Sequence, residues 1–497
     1  MKKLFLVLNI LIFSFINLNA QYINKIYEYV PAPGQFTNNP TMGTMESAES
    51  LIGTLKGAVS LGAFGGYIVF GFENSVINHP DNPYGIDFII YGNPLSTWSE
   101  PGIVYVMKDE NNNGLPDDTW YEIAGSDYYF SNTIKDYSVT YANPYGYEAH
   151  DVPWADIFWN EGYIYANEYH NQPYYPLPKY FLNINQERYT LTGTKIQGCL
   201  DKTDPIGITS SRRTFGYADN TPKAPSVLED NVPDNPYTID TLENSGADGI
   251  DISWAIDKDG NYVNLDKIDF IKVQCGMLAD AGWLGEVSTE LRGAVVVEPN
   301  SSISGVMDMA YIQDVPYINY SPYQLEAVAF RNGRIIDEPL VWKLESDDSS
   351  VSLSNDGVIT YDSNVDNETI KITVYWENNP EIKHTITTKI LDIASINDYY
   401  TSKTNKDILS IYPNPSSDYI TIDCGDVSDK EIEVFIYSII GHKVLQTRCN
   451  NGDNLDITTL EKGVYIVNCK IMDNSSGKYN SDDKRNYKIL KQKLVKR

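Results

Sequence analysis

Cysteine, histidine, positive charge and long apolar runs are all scarce in this chain. The five cysteines (Cys199, Cys275, Cys424, Cys449 and Cys469) among 497 residues show no CxxC and no regular spacing. That excludes a zinc ribbon and a dense disulfide framework, which need thiols at close, repeated intervals. Cys449 and Cys469 are spaced to pair across neighbouring strands; buried free thiols are the alternative. The five histidines (His79, His150, His170, His384 and His442) form no HExxH, and no GxSxG occurs. The common signatures of zinc and serine hydrolases are therefore missing. Only 38 basic residues stand against 67 acidic ones, a formal charge of −29. A field of that sign repels phosphate backbones, so no nucleic acid is expected as partner, and it favours solubility and cations. After the first twenty residues no stretch reaches the ~20 apolar residues of a transmembrane helix. Nor does any long segment carry a helical period.

What is present reads as globular and β-rich. Hydrophobic residues at 42% and charged residues at 21% are ordinary for a folded soluble protein, so disorder is not expected. The length suits about three domains of roughly 150 residues, each able to bury a core. Tyrosine is in excess, 38 against 15 Phe and 8 Trp. It suits half-buried strands and sugar-facing surfaces; drift in an AT-rich genome is the alternative.

Residues 1–20 read as a cleavable signal peptide. Lys2 and Lys3 precede an apolar run from Leu4 to Ile16 interrupted only by Asn9 and Ser14, and Ala20 offers a small residue before Gln21. No Cys follows at the new N-terminus, so a lipid anchor is not expected. Residues 21–298 read as one large β domain. Tyr67 to Phe72, Asp87 to Tyr91 and Ile103 to Met107 are branched and aromatic runs separated by Gly, Pro and Asn clusters. Apolar on both faces, they predict strands buried between two layers. The stretch from about 127 to 240 reads as loop-rich, full of Tyr, Asn and Pro. Residues 299–393 form a second unit, in which Lys371 to Trp376 alternates with Ile372, Val374 and Trp376 on one face. Residues 394–407 read as a linker, and 408–497 as a third unit. The fold class is thus all-β: a large sandwich, which the resemblance below makes a jelly roll, followed by two small Ig-like β-sandwiches.

Three resemblances accompany these patterns. The Trp342 strand followed by Asn355-Asp356-Gly357 and Val358-Ile359-Thr360 resembles group 2 bacterial Ig-like domains. In the last unit, Tyr412-Pro413-Asn414-Pro415, then Tyr419 to Ile422, Tyr437 to Gly441, Leu455 to Ile457 and Gly463-Val464-Tyr465 follow in order. That order strongly resembles the type A sorting domain of type IX secretion. The resemblance implies translocation across an outer membrane, the secretion machinery as partner, removal of the module, and surface attachment or release. On residues alone, the prolines pin an extended segment, and Gly441 and Gly463 suit turns. The stretch Lys484 to Arg497 carries seven basic residues and no acidic one, a local charge reversal. In the large unit, Ser60-Leu61-Gly62, Gly65-Gly66, Tyr91-Gly92-Asn93, Ser99-Glu100-Pro101-Gly102, Ile252-Ser253-Trp254 and Gly282-Trp283-Leu284-Gly285-Glu286 resemble a Bacteroidetes cell-surface family with a discoidin-type, galactose-binding-like jelly roll. That resemblance implies proximity to glycan or corrinoid uptake and an outer-membrane transporter as partner.

The densest chemical pattern is Asp109, Asn111, Asn113, Gly114, Leu115 and Asp117. Hard cations need many oxygens close together, and alternate oxygen side chains before a turn glycine supply them, with the Leu115 carbonyl next. Position twelve of such a loop is Trp120, so the bidentate acid of an EF-hand is absent; Asp118 or Glu122 would complete the set. The expectation is structural Ca2+; an Asx-rich turn without metal is the alternative. Asp87, Asn93 and Glu100 form a second candidate set, for metal or ligand, against ordinary loop capping. Trp154, Trp159 and Tyr174, within an aromatic segment, are candidates to stack on a sugar or planar ligand. No catalytic residue stands out, although distant carboxylate pairs for glycoside chemistry are compatible with so many acids. The expected function is an exported, non-catalytic protein that captures a glycan or other small nutrient. A jelly-roll hydrolase or lyase, a structural or adhesive surface protein and a corrinoid-uptake accessory are the alternatives.

Overall fold

The computed structural model describes residues 21–197, 200–202, 207–222, 246–302, 305–362, 365, 367–391, 409–414, 416–424, 431–438, 443–460, 462–472 and 487–496. The expected signal peptide, the linker 394–407, Cys199, Pro415 and Gly441 lie outside the described residues. Strand makes up 44% of the chain and helix 4%, so the fold is all-β. The one α-helix described, Met45–Glu49, has five residues and starts on a capping box between Thr44 and Ser47.

The large unit is a sandwich of antiparallel sheets. One sheet runs, in spatial order, through Lys25–Val30, Tyr67–Gly71, Phe270–Cys275, Gly102–Met107, Trp120–Ile123 and Ala255–Ile256, with Tyr217–Ala218 also paired to Gly102–Met107. The second orders Gly246–Ile250, Phe88–Gly92 and Gly293–Val296. Ile68, Phe70, Val104, Val106, Ile271 and Val273 of the first share one core with Phe88, Ile90, Ile250 and Ala294 of the second. Gly102–Met107 and Phe88–Gly92 are buried at every residue, as runs apolar on both faces require.

Within the stretch 127–240, expected to be loop-rich, the described residues hold more sheet than the sequence suggested. Within it, Glu161–Ile164, Val152–Asp156, Ile134–Ala142 and Arg188–Lys195 form a four-stranded antiparallel sheet over a second core. Tyr137, Val139 and Tyr141 point inward and Ser138 and Thr140 outward. The period was masked because tyrosine served as the apolar residue. Its hydroxyl is satisfied in each case: Tyr137 donates to Asp156 at 2.7 Å and Tyr141 to the Phe64 carbonyl at 2.8 Å. The tyrosine excess is partly explained this way, as core side chains with a paired polar tip.

The second unit pairs Tyr317–Ile318, Asn379–Ile390, Glu368–Trp376 and Leu340–Glu345 in one sheet and Asp308–Ile312, Ala327–Arg331 and Arg334–Ile336 in another. Ile372, Val374 and Trp376 are buried together, as their alternation predicts. Gly357, at φ 82°, turns the Asn355-Asp356-Gly357 hairpin. This unit is welded to the large one. Met309, Tyr311 and Phe330 belong to the large unit's core. The Trp254 indole donates to the Asn332 carbonyl at 2.9 Å, and Arg213 bridges Asp127 at 2.7 Å and Asp314 at 3.8 Å.

The third unit stacks Ser410–Tyr412, Tyr419–Asp423 and Asn454–Asp456 against a sheet of Lys443–Asn450, Glu431–Ser438, Gly463–Met472 and Tyr487–Lys496. Ile420, Ile422, Val434 and Ile436 form its inner face. Within the basic stretch, Tyr487–Lys496 is the outer strand of this sheet, paired along Gly463–Met472. Cys449 and Cys469 are not on neighbouring strands: Glu431–Ser438 lies between, with Ile432 opposite Cys449 and Val434 opposite Cys469. Two strand spacings, roughly 9–10 Å, exceed the reach of a disulfide.

Candidate functional site

The oxygen-rich loop joins Gly102–Met107 to Trp120–Ile123 at the sandwich edge. Asn112 and Gly114 take φ of 56° and 72°, which reverses the chain sharply. Asp109 accepts the backbone N–H of Asn113 and Gly114 at 3.1 and 2.9 Å. The amides of Asn111 and Asn113 donate to Asp117 at 3.1 and 3.0 Å, and Asp118 accepts the Glu110 N–H at 2.9 Å. The Leu115 carbonyl accepts the Asp117 N–H at 3.0 Å. Asp109, Asn111, Asn113, Asp117 and Asp118 thus converge in one exposed loop. The amide oxygens of Asn111 and Asn113 accept the N–H of Asn113 and Leu115 at 2.9 and 2.7 Å, so the loop is closed on itself by Asx turns while presenting oxygens of the kind a hard cation takes.

A second constellation lies inside the sandwich, and only half of it was legible in the sequence. Asn93 and Glu100 do come together, but with Asp219 and Glu290. One carboxylate oxygen from each of Glu100, Asp219 and Glu290 lies within 4.8 Å of the others. Asp219 accepts the N–H of Asn93 and of Glu290, both at 2.8 Å. Glu100 accepts the Ser288 N–H at 3.0 Å, and Glu290 accepts the Ser288 hydroxyl at 2.8 Å. Gly92 is obligatory here, since a Cβ would sit 2.1 Å from Asp219 Oδ1. The Asn93 side chain lies beside Glu290, and its Oδ1 is buried with no hydrogen-bond partner. Burial, then the neighbouring carboxylates, hold Glu100 and Asp219 well above the usual carboxylate range, and burial raises Glu290. Three like charges so close do not all ionise without a counter-charge. At neutral pH the cluster keeps protons or takes a cation, for which three carboxylates and the Asn93 oxygen are suitable hard donors. Asp219 and Glu290 are far from Asn93 in sequence; Glu290 pairs opposite Ser60, and the pairing of the following Gly293–Val296 with Phe88–Gly92 holds that segment near Asn93.

Asp87 stands apart from this set. Fully buried, it accepts from the Asn82 amide at 2.7 Å, the Ile252 N–H at 2.8 Å and the His79 N–H at 3.3 Å. Burial, with Asp251 nearby, pushes it up to about 8. It ties two loops together, the capping alternative for that residue. The aromatic candidates are likewise dispersed. Tyr174 is buried, Trp154 is half-buried in Val152–Asp156, and Trp159 is 55% exposed at a turn.

A cleft of about 440 Å³ opens where the second unit meets the large one. Phe158, Asn132, Gln313, Tyr317, Tyr320 and Tyr323 line it. The Tyr320 and Tyr323 rings lie 4.9 Å apart. Gln313 is 6% exposed, and its amide nitrogen has no hydrogen-bond partner. The sequence signal, unused until the fold joined these segments, was the tyrosine-rich stretch 315–324.

Residues 410–479 match the sequence profile of the family described as the secretion system C-terminal sorting domain. The third unit is a type IX sorting domain. Its presence places the chain among proteins exported by that machinery to the cell surface or beyond. Within it, Tyr412 and Pro413 are exposed, Asn414 is half-buried and Gly463 opens the strand Gly463–Met472. No curated protein sequence matches the chain. Among solved structures, dimeric latent PorU from Porphyromonas gingivalis aligns at 11% identity over 73% of this chain. The alignment spans 30% of that chain with a TM-score of 0.15, which carries no argument about fold or function.

Proposed function

We propose that this is an exported binding protein that captures a glycan in the cleft between its first two units, with calcium stabilising its loops. The carrying observation is the cleft lining. Flat tyrosine faces beside amide side chains suit a sugar, whose C–H face stacks on rings and whose hydroxyls need neutral donors and acceptors. Export by type IX secretion is consistent with a task outside the cell. A glycan array probed with the full chain, and again with Tyr320→Ala and Tyr323→Ala variants, tests this. Binding that weakens about tenfold in each variant, about 1.4 kcal/mol, supports the cleft. Binding unchanged in both, or no glycan retained, removes it.

A second reading is favoured by one observation, the half-buried Glu100 carboxyl held above its ordinary range by burial and by the Glu290 and Asp219 carboxylates beside it, which has the character of a general acid. Turnover of a polysaccharide that disappears in Glu100→Gln would establish a hydrolase or lyase in place of a binding protein.

A further inference from the structure

The sorting unit contains a pair of facing thiols that neither its family profile nor the cleft accounts for. Cys424 follows the strand Tyr419–Asp423 of one sheet, where its N–H donates to Asn451 Oδ1 at 2.7 Å. Cys469 sits in Gly463–Met472 of the other sheet, opposite Val434. Both are buried in the single core that joins the two sheets. They occupy the same small core from its two facing sheets, near enough for each thiol to perturb the other. Cys449, the remaining thiol of this unit, packs half-buried at the edge of the same core.

We propose that Cys424 and Cys469 form a disulfide during export, pinning one sheet of the sorting unit to the other. The route to the cell surface crosses an oxidising compartment, where disulfides form and persist. The oxidant required is a disulfide-bearing thiol oxidase or a small-molecule disulfide. One cysteine thiolate attacks a sulfur of that disulfide, releasing one oxidant thiol and leaving a mixed disulfide. The second cysteine attacks its partner's sulfur, the protein S–S bond forms, and the second oxidant thiol leaves. The two protein thiols give up two protons and two electrons, and the oxidant's disulfide is reduced to two thiols. On the open chain either thiol of the pair can serve as the attacking thiolate; in the folded unit, burial holds Cys449 up at about 11. Since both partners are buried when folded, exchange occurs on the open chain, and folding then seals the bridge away from reductants.

The test is disulfide mapping of the full chain recovered from the periplasm. Free thiols are alkylated in denaturant without reductant, and the digest is read by mass spectrometry. The expected result is a Cys424 peptide linked to a Cys469 peptide, two hydrogens lighter than the pair, with Cys449 alkylated. Cys449→Ala is expected to keep that link, and reductant to lower the melting temperature of both proteins by several degrees. Alkylated Cys424 and Cys469 in the unreduced chain, or either one linked to Cys449, would overturn the proposal. The mapping needs no variant, so a poorly folding Cys449→Ala chain does not affect it.

Discussion

At the residue scale the chain's acidity divides into two kinds. Most carboxylates are solvated, but Glu100, Asp219 and Glu290 are gathered in the sandwich with raised affinity for protons, and Glu286 and Asp248 nearby are pushed up by burial to about 8 and about 7. The folded state therefore binds more protons than the unfolded chain between the ordinary carboxylate range and about pH 8. Stability from these groups is complete below the unfolded pKa values and is lost as pH rises through the folded ones. With a chelator present, the melting temperature is expected to fall from pH 5 to pH 8, and Glu290→Gln to flatten that fall. A rise over the same range would contradict the assigned protonation. Calcium at pH 8 is expected to recover the loss if the cluster takes the ion, since a ligand bound only to the native state stabilises it. The exposed loop is distinguished by Asp109→Ala, which leaves the cluster intact. If that loop binds calcium, the variant's calcium-dependent rise in melting temperature is smaller than that of the unaltered chain; an equal rise removes the loop from the metal reading.

At the element scale the junction between the first two units is the sharpest test of the structure. Arg213 is almost wholly buried between Asp127 and Asp314, and Asp127 also accepts the Tyr311 hydroxyl at 3.0 Å. Arg213→Ala leaves two buried carboxylates without their cation, which is expected to cost about 3–5 kcal/mol in denaturant unfolding. Arg213→Met, which restores volume without charge, does not repair that imbalance; only combination with Asp127→Asn and Asp314→Asn is expected to recover most of the loss. Strand alternation was readable wherever Ile and Val carried it, as at Ile372, Val374, Ile420 and Ile422. It was unreadable where Tyr carried it, as at Tyr137 and Tyr141, because a phenol is apolar in the ring and polar at the tip. The acidic cluster was half legible: Asn93 and Glu100 lie seven residues apart, but strand pairing alone delivers Glu290 to them, and the loop holding Asp219 folds over Gly92.

At the scale of the whole molecule, the two leading units act as one body carrying a sorting domain. Phe330 packs on Phe215 with ring centres 5.1 Å apart, and Tyr311 on Phe130 at 5.6 Å. Each large side chain uncovered forfeits about 1.5–3 kcal/mol of burial. A chain of residues 21–298 is therefore expected to melt well below one of residues 21–391, or to aggregate, in a thermal scan of both. Equal midpoints would show that the second unit is merely appended. The cleft exists only because the units are fused, so the shorter chain is also expected to lose any glycan binding found with the longer one.

The amino-acid sequence by itself determined the β class and the sorting domain, because both are written in local periods and short ordered motifs. Tertiary structure alone decided which acids share a site, which thiols face each other and where a cleft opens. Those depend on strands far apart in the chain becoming neighbours, and the free energy that selects the neighbours is spread over a whole core and is not held in any segment.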